Sequence, residues 1–141
     1  TQPAMTLLDT GPLVAVLDDT DQWHAWATPR LRELNEPLWT CGAVLSEASF
    51  LLGQHPPATA RLRGLVRDGV VRPAVDDAPL WHRALALMER YANVPMSFAD
   101  ACLVALAEST PGARLFTLDR DFLIYRQHDD KPLTLLAPFA Q

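Results

Sequence analysis

Asp9, Glu47, Asp100 and Asp119 are the side chains of this sequence whose type and spacing could do chemistry. The residues three and four positions from Glu47 are Ala43, Val44, Phe50 and Leu51, and those around Asp100 are Met96, Ser97, Leu103 and Val104. Positions so spaced share one face of a helix, so both carboxylates are expected on apolar stripes turned toward a core. Asp9 and Asp119 each follow a short apolar run, Met5-Thr6-Leu7-Leu8 and Arg114-Leu115-Phe116-Thr117-Leu118. A carboxylate buried without a partner costs several kcal/mol, so such acids imply a positive group among them. Ionised pairs roughly 5 Å apart repel by about 3 kcal/mol at an effective dielectric of about 20, which makes a cluster of four an attractive seat for a divalent cation. Oxygen-only ligands select Mg²⁺ or Mn²⁺ over zinc.

The elements that would position these acids alternate between strand and helix. After the first apolar run, Gly11-Pro12 opens the helical segment Leu13 to Leu17, and a second helix is expected from Asp21 to Leu34. Leu38-Trp39-Thr40-Cys41 reads as a buried strand leading into the helix of Glu47, which Pro56-Pro57 ends while opening another that runs to Gly69. Val70-Val71-Arg72 is a short strand, and Asp76-Asp77 is placed to cap a helix from about Pro79 to Tyr91. The Asp100 helix begins near Ser97 and runs to about Glu108. Leu133-Thr134-Leu135-Leu136 is expected to be the last strand. Such alternation predicts an α/β fold with a mostly parallel sheet, whose ligand crevice lies at the carboxyl ends of the strands. Asp9 and Asp119 are expected at that edge.

Composition narrows the function classes. A chain of 141 residues with 49% apolar residues suits one domain with a real core. The net charge of −5 argues against a protein that coats nucleic acid through a broad basic face, though not against a local phosphate site. All 12 basic residues except Lys131 are Arg, a bias that fits a GC-rich genome. Cys41 and Cys102 form no CxxC pattern, so reduced thiols and a cytoplasmic setting are expected. No run suits a membrane span or a signal segment, and Thr1-Gln2-Pro3-Ala4 reads as an added leader before a native Met5. His24, His55, His82 and His128 are scattered without ligand spacing, and no nucleophilic-serine elbow or phosphate-cradling glycine loop is present.

Four motifs, taken together and in order, resemble the PIN-domain ribonucleases: Leu8-Asp9-Thr10-Gly11-Pro12-Leu13, Val44-Leu45-Ser46-Glu47, Ser97-Phe98-Ala99-Asp100-Ala101 and Thr117-Leu118-Asp119-Arg120-Asp121-Phe122. The compact length resembles the VapC-type toxins of type II toxin–antitoxin modules, and the resemblance spans residues 5–137 as one domain. It implies a three-layer α/β/α sandwich and a Mg²⁺- or Mn²⁺-dependent endoribonuclease leaving 5′-phosphate and 3′-hydroxyl ends. It also implies a homodimer held by a cognate antitoxin protein. Carried over by position, Asp9, Glu47, Asp100 and Asp119 match the metal-binding catalytic acids, Thr10, Ser97 and Thr117 the supporting hydroxyls, and Asp121 an additional acid. Either Asp119 or Asp121 could face the metal, and Asp119 is the favoured one.

Each position also has a purely structural explanation. Asp9 and Asp119 could make Asx turns or cap the following helices, Ser97-x-x-Asp100 has capping-box spacing, and Thr10 and Thr117 could be turn hydroxyls. Trp23 and Trp26 could stack on bases but suit core packing better. Arg61, Arg63 and Arg67 could guide phosphates or an acidic partner, a solvated helix face being the commoner arrangement. Two other functions compete with a toxin nuclease: a housekeeping RNA-processing nuclease with the same chemistry, and a noncatalytic module that binds RNA or a partner. Presence of all four acids favours catalysis.

Overall fold

The computed structural model describes residues 5–140, so the expected leader, residues 1–4, lies outside the described residues. Its elements follow one another as β1 (Thr6–Leu8), α1 (Thr10–Leu17), α2 (His24–Glu33), β2 (Leu38–Thr40), α3 (Gly42–Leu52) and α4 (Pro56–Arg67). Then come β3 (Val71–Pro73), α5 (Ala78–Arg90), α6 (Phe98–Ser109), β4 (Arg114–Phe116), a 3-10 turn (Arg120–Leu123) and β5 (Thr134–Leu136). The five strands form one sheet in the order β3-β2-β1-β4-β5, and every pairing is parallel. Helices cover the sheet in a three-layer α/β/α sandwich. In it α1 packs against α2, α3 and α4, while α5 packs against α6. No helix among the described residues is long and apolar enough to cross a membrane.

The sequence expectation of a mostly parallel sheet sharpens to a wholly parallel one, because every connection carries the chain back across the sheet before the next strand. Some boundaries move. β4 ends at Phe116 rather than at Leu118, so Asp119 stands on the turn beyond the strand, and the third strand is shifted by one residue to Val71–Pro73. Asp77 caps α5 by accepting from Leu80 N at 3.1 Å, as its position suggested. Asp76 does something else: its Oδ2 accepts from Gly42 N at 3.1 Å and so caps α3, whose own N-cap residue, Cys41, makes no side-chain bond. The cap thus comes from a loop 34 residues away.

The centre of the sheet fixes the geometry. Leu7, Leu8, Leu115 and Phe116 are buried, and Trp26 of α2 sets its ring edge against Phe116 with centroids 5.9 Å apart. The parallel register pairs Leu8 with Phe116, and Asp9 N donates to Phe116 O at 3.0 Å, so the chain just after β1 is tied to the end of β4. Thr40, at the end of β2, donates its hydroxyl to Leu8 O at 2.7 Å from the other side. From β1 the chain winds outward to β2 and β3, then crosses to β4 and β5, so the sheet reverses direction between β1 and β4. That reversal opens a crevice at the carboxyl ends of the strands. Cys41 and Cys102 are free, buried thiols where α3 meets α6, and the neighbouring Cys102 thiol lowers the pKa of Cys41.

Two substitutions separate core from cap. Phe116→Ala removes a fully buried ring and is expected to lower unfolding stability by about 3–5 kcal/mol. Asp77→Ala removes one cap and is expected to cost about 1 kcal/mol. Urea titrations followed by circular dichroism check both, and equal losses would contradict this division of labour.

Candidate active site

Asp9 sits at the crevice because β1 ends there and Pro12 then starts α1. Its φ of −85° and ψ of 165° are extended, and its Oδ1 accepts from Thr10 N at 2.8 Å. The expected capping role is therefore real. The second oxygen, Oδ2, accepts from the Thr117 hydroxyl at 2.7 Å, a bond that no capping role requires. The same hydroxyl accepts from Asp119 N at 3.0 Å, so one buried threonine after β4 fastens Asp9 and the start of the Asp119 turn together. Gly11 permits the approach of the two loops: a Cβ there would stand 3.2 Å from Leu118 Cβ.

The other acids arrive from two helices and the 3-10 turn. Glu47 on α3 accepts from the Thr10 hydroxyl at 2.9 Å. Asp100 occupies the first turn of α6, and its backbone N–H is taken by Ser97 Oγ at 3.0 Å, the serine half of the expected capping box. Asp119 caps the 3-10 turn by accepting from Asp121 N at 2.9 Å. Thr10 and Thr117 thus hold carboxylates directly, and Ser97 holds the helix that presents one.

The burial expected for Glu47 is not found. Its side chain is exposed, and its apolar neighbours Phe50 and Leu51 are 84% and 55% exposed. The buried stripe of α3 is Val44, Ala48 and Leu52. On a helix apolar nearly all round, spacing alone does not tell which apolar face turns inward. Glu47 flanks the buried stripe and reaches the crevice from its rim. Asp9 and Asp100 are buried as expected, and Asp119 is intermediate.

Electrostatics tie the four together. Burial pushes the pKa of Asp9 up to about 6, with Asp119 and Glu47 adding to the rise while the bonds from Thr117 and Thr10 oppose it. Burial pushes Asp100 up to about 7, and the charges of Asp9 and Asp119 raise it further. Asp119 is among the charges that raise both Asp9 and Asp100. Every hydrogen-bond donor to these carboxylates is neutral, and no salt bridge among the described residues involves any of them. The donor set, hard oxygens with uncompensated charge, fits a Mg²⁺- or Mn²⁺-sized cation. As placed, no three His, Cys, Asp or Glu side chains among the described residues form a ready coordination shell.

Sequence reasoning passed over Tyr125. It is fully buried and donates its hydroxyl to Asp100 Oδ2 at 3.4 Å. Its only signal in the sequence is a polar-tipped aromatic following an acidic motif. The basic and aromatic candidates turn elsewhere: Arg61 donates to Leu17 O at the end of α1, Arg67 pairs with Asp68, and Trp26 joins the core. His24 Nδ1 lies 2.7 Å from Ala15 O, and His128 pairs with Glu108 away from the acids.

The raised pKa values give stability a sign. Below about pH 4 an Asp is protonated in both folded and unfolded chains. Between there and about pH 6 to 7 the folded chain still holds protons on Asp9 and Asp100 that the unfolded chain has released. Without divalent metal, folding stability is therefore expected to fall as pH rises through this window. Asp100→Asn should flatten the slope and raise the melting temperature in EDTA at pH 7 by a few degrees. Thermal melts from pH 4.5 to 8 check this. A mutant with the parent slope and a lower melt would leave Asp100 only its capping position.

Comparisons with known proteins agree with this geometry. The family model described as PIN domain matches residues 6–127. Among solved structures, VapC20 of Mycobacterium tuberculosis, described as a sarcin–ricin loop cleaving toxin, superposes with a TM-score of 0.74 at 24% identity, covering 82% of this chain and 91% of that one. No curated protein matches. With most of its length under the family model, strands β1 to β4 included, the chain belongs to the PIN domain family.

Proposed function

We propose that this protein is a metal-dependent endoribonuclease and the toxin of a toxin–antitoxin module. The observation that carries the reading is the gathering of Asp9, Glu47, Asp100 and Asp119 at the switch point of a PIN sheet with no cationic side chain to balance them. The likeness in fold to a toxin described as cleaving the sarcin–ricin loop supports RNA as the substrate class. These four acids would hold Mg²⁺ or Mn²⁺, which when bound supplies Lewis acidity toward the phosphoryl oxygens and lowers the pKa of the attacking water.

The chain's own contribution is orientation. Thr117 and the Thr10 backbone fix both oxygens of Asp9, and the Thr10 hydroxyl draws Glu47 toward the same point. Asp121 N holds one oxygen of Asp119 and leaves the other for the crevice. Because these donors are neutral, they orient the carboxylates without neutralising them, and the charge stays available for a cation. With the cation in place the local sign reverses, so an acidic chain can accept a phosphodiester backbone. No side chain here needs to become a covalent nucleophile.

Exposed apolar residues, Phe50 and Leu51 on α3 together with Leu123 and Ile124 at the end of the 3-10 turn, support association with a second copy and with an antitoxin protein. A housekeeping RNA-processing role would use the same acids and is separated from a toxin role by whether a small antitoxin frame adjoins the gene.

Two measurements test the proposal. Antitoxin-free protein is expected to cut RNA with Mg²⁺ or Mn²⁺, to leave 5′-phosphate and 3′-hydroxyl ends, and to stop in EDTA. Asp9→Asn or Glu47→Gln should lower the rate at least about a hundredfold, the scale of losing one stabilising group at a reacting centre. Full activity after chelation, or in either variant, would overturn the mechanism. Sedimentation at tens of micromolar, which populates a micromolar interface, is expected to show a dimer. A strict monomer would remove self-association from the reading.

A further inference from the structure

Three of the four acids have a carboxylate oxygen held by a threonine hydroxyl or a backbone N–H: Asp9 by Thr117 and Thr10, Glu47 by Thr10, and Asp119 by Asp121. Asp100 is approached from its own helix end by Ser97, whose Oγ accepts from the Asp100 backbone N–H and whose N–H and hydroxyl lower the carboxyl pKa. From outside α6, Tyr125 donates its hydroxyl to Asp100 Oδ2 at 3.4 Å.

We propose that Tyr125 is a positioning residue for Asp100, fixing Oδ2 from outside α6 so that Oδ1 is presented to the cation; the assignment rests on the metal-dependent reading above. The surroundings of the ring fit this role. Tyr125 is fully buried, with its ring held edge to face by Tyr91 at 5.2 Å and by Phe122 at 5.3 Å. The Tyr91 hydroxyl accepts from Arg126 N at 2.9 Å, which pins the backbone just after Tyr125, and Tyr125 N donates to Asp121 O. The ring therefore has little freedom to carry its hydroxyl elsewhere. A buried phenol needs a hydrogen-bond partner, and packing alone would be served as well by phenylalanine. Burial, with the charges of Asp100, Asp121 and Asp119, keeps the phenol protonated, hence a donor, at neutral pH.

The 3-10 turn gives the arrangement a further consequence. Asp119 opens this turn and Tyr125 follows it, so one short segment supplies an acid and, six residues later, the donor that orients a second acid on α6. The segment couples the two carboxylates mechanically as well as electrostatically.

The test is Tyr125→Phe in the full chain. Mn²⁺ affinity is read by calorimetry, RNA cleavage as separate kcat and KM, and folding by melts in EDTA. Tyr125→Phe is expected to weaken Mn²⁺ binding about tenfold, the lower end for loss of a group that orients a metal ligand. It should also lower kcat more than it raises KM. Adding Tyr125→Phe to Asp100→Asn, a variant that keeps three of the acids, should produce no further loss of affinity, since the hydroxyl would then have no carboxylate to orient. A parent that binds Mn²⁺ and cuts RNA, with a Tyr125→Phe variant of equal affinity and kcat, overturns the positioning role alone. Additive losses in the double variant do the same. A parent that binds no Mn²⁺ at millimolar concentration overturns the metal reading and the positioning role with it.

Discussion

The parallel pairing of β1 with β4 is the constraint on which the rest of this molecule depends. It sets Leu8 beside Phe116 and, one residue further along each strand, brings Asp9 within 2.7 Å of the Thr117 hydroxyl. A slip of one residue would turn either side chain to the other face of the sheet. The pairing is itself secured by burial of Leu7, Leu8, Leu115 and Phe116 at the middle of the sheet. The site thus inherits its precision from the most buried part of the core.

Upon that frame the protein gathers charge it does not neutralise. Asp9 and Asp100 are buried and have raised pKa values, and the hydrogen bonds that hold the cluster come from hydroxyls and backbone amides. Such donors soften the cost of burial without cancelling it. Arginine is abundant in the chain, yet its guanidinium groups go to helix ends, to Glu108 and Glu36, and to aromatic faces. A stable empty fold would be better served by placing one of them among the acids. The stability given up there is what the proposed metal-dependent function would explain.

Structural and functional readings of a residue need not exclude one another. Asp9 and Asp119 cap helical turns, and Ser97 caps α6, as local sequence rules anticipate. The same caps aim the carboxylates, because a capping residue stands where strand gives way to helix, and in a parallel α/β sheet that place is the mouth of the crevice. One carboxylate can serve its helix with one oxygen and the crevice with the other. Asp119 gives Oδ1 to Asp121 N.

By itself the sequence determined the alternation of strands and helices, the family signature and the identity and order of the four acids. These rest on local periodicity, on turn residues and on short motifs, all of which act over a few positions. What only the tertiary structure decided lies between distant segments. The spacing around Glu47 implied a buried carboxylate, yet packing chose Val44, Ala48 and Leu52 as the inner face of α3 and left Phe50 and Leu51 in solvent. Asp76 looked like the cap of the helix that follows it and instead caps α3. Tyr125 carried no readable role until the 3-10 turn folded it under α6 against Asp100. An apolar pattern records that a side chain prefers burial, but which neighbour it is buried against depends on how the helices are set on the sheet, and that is decided by the core as a whole.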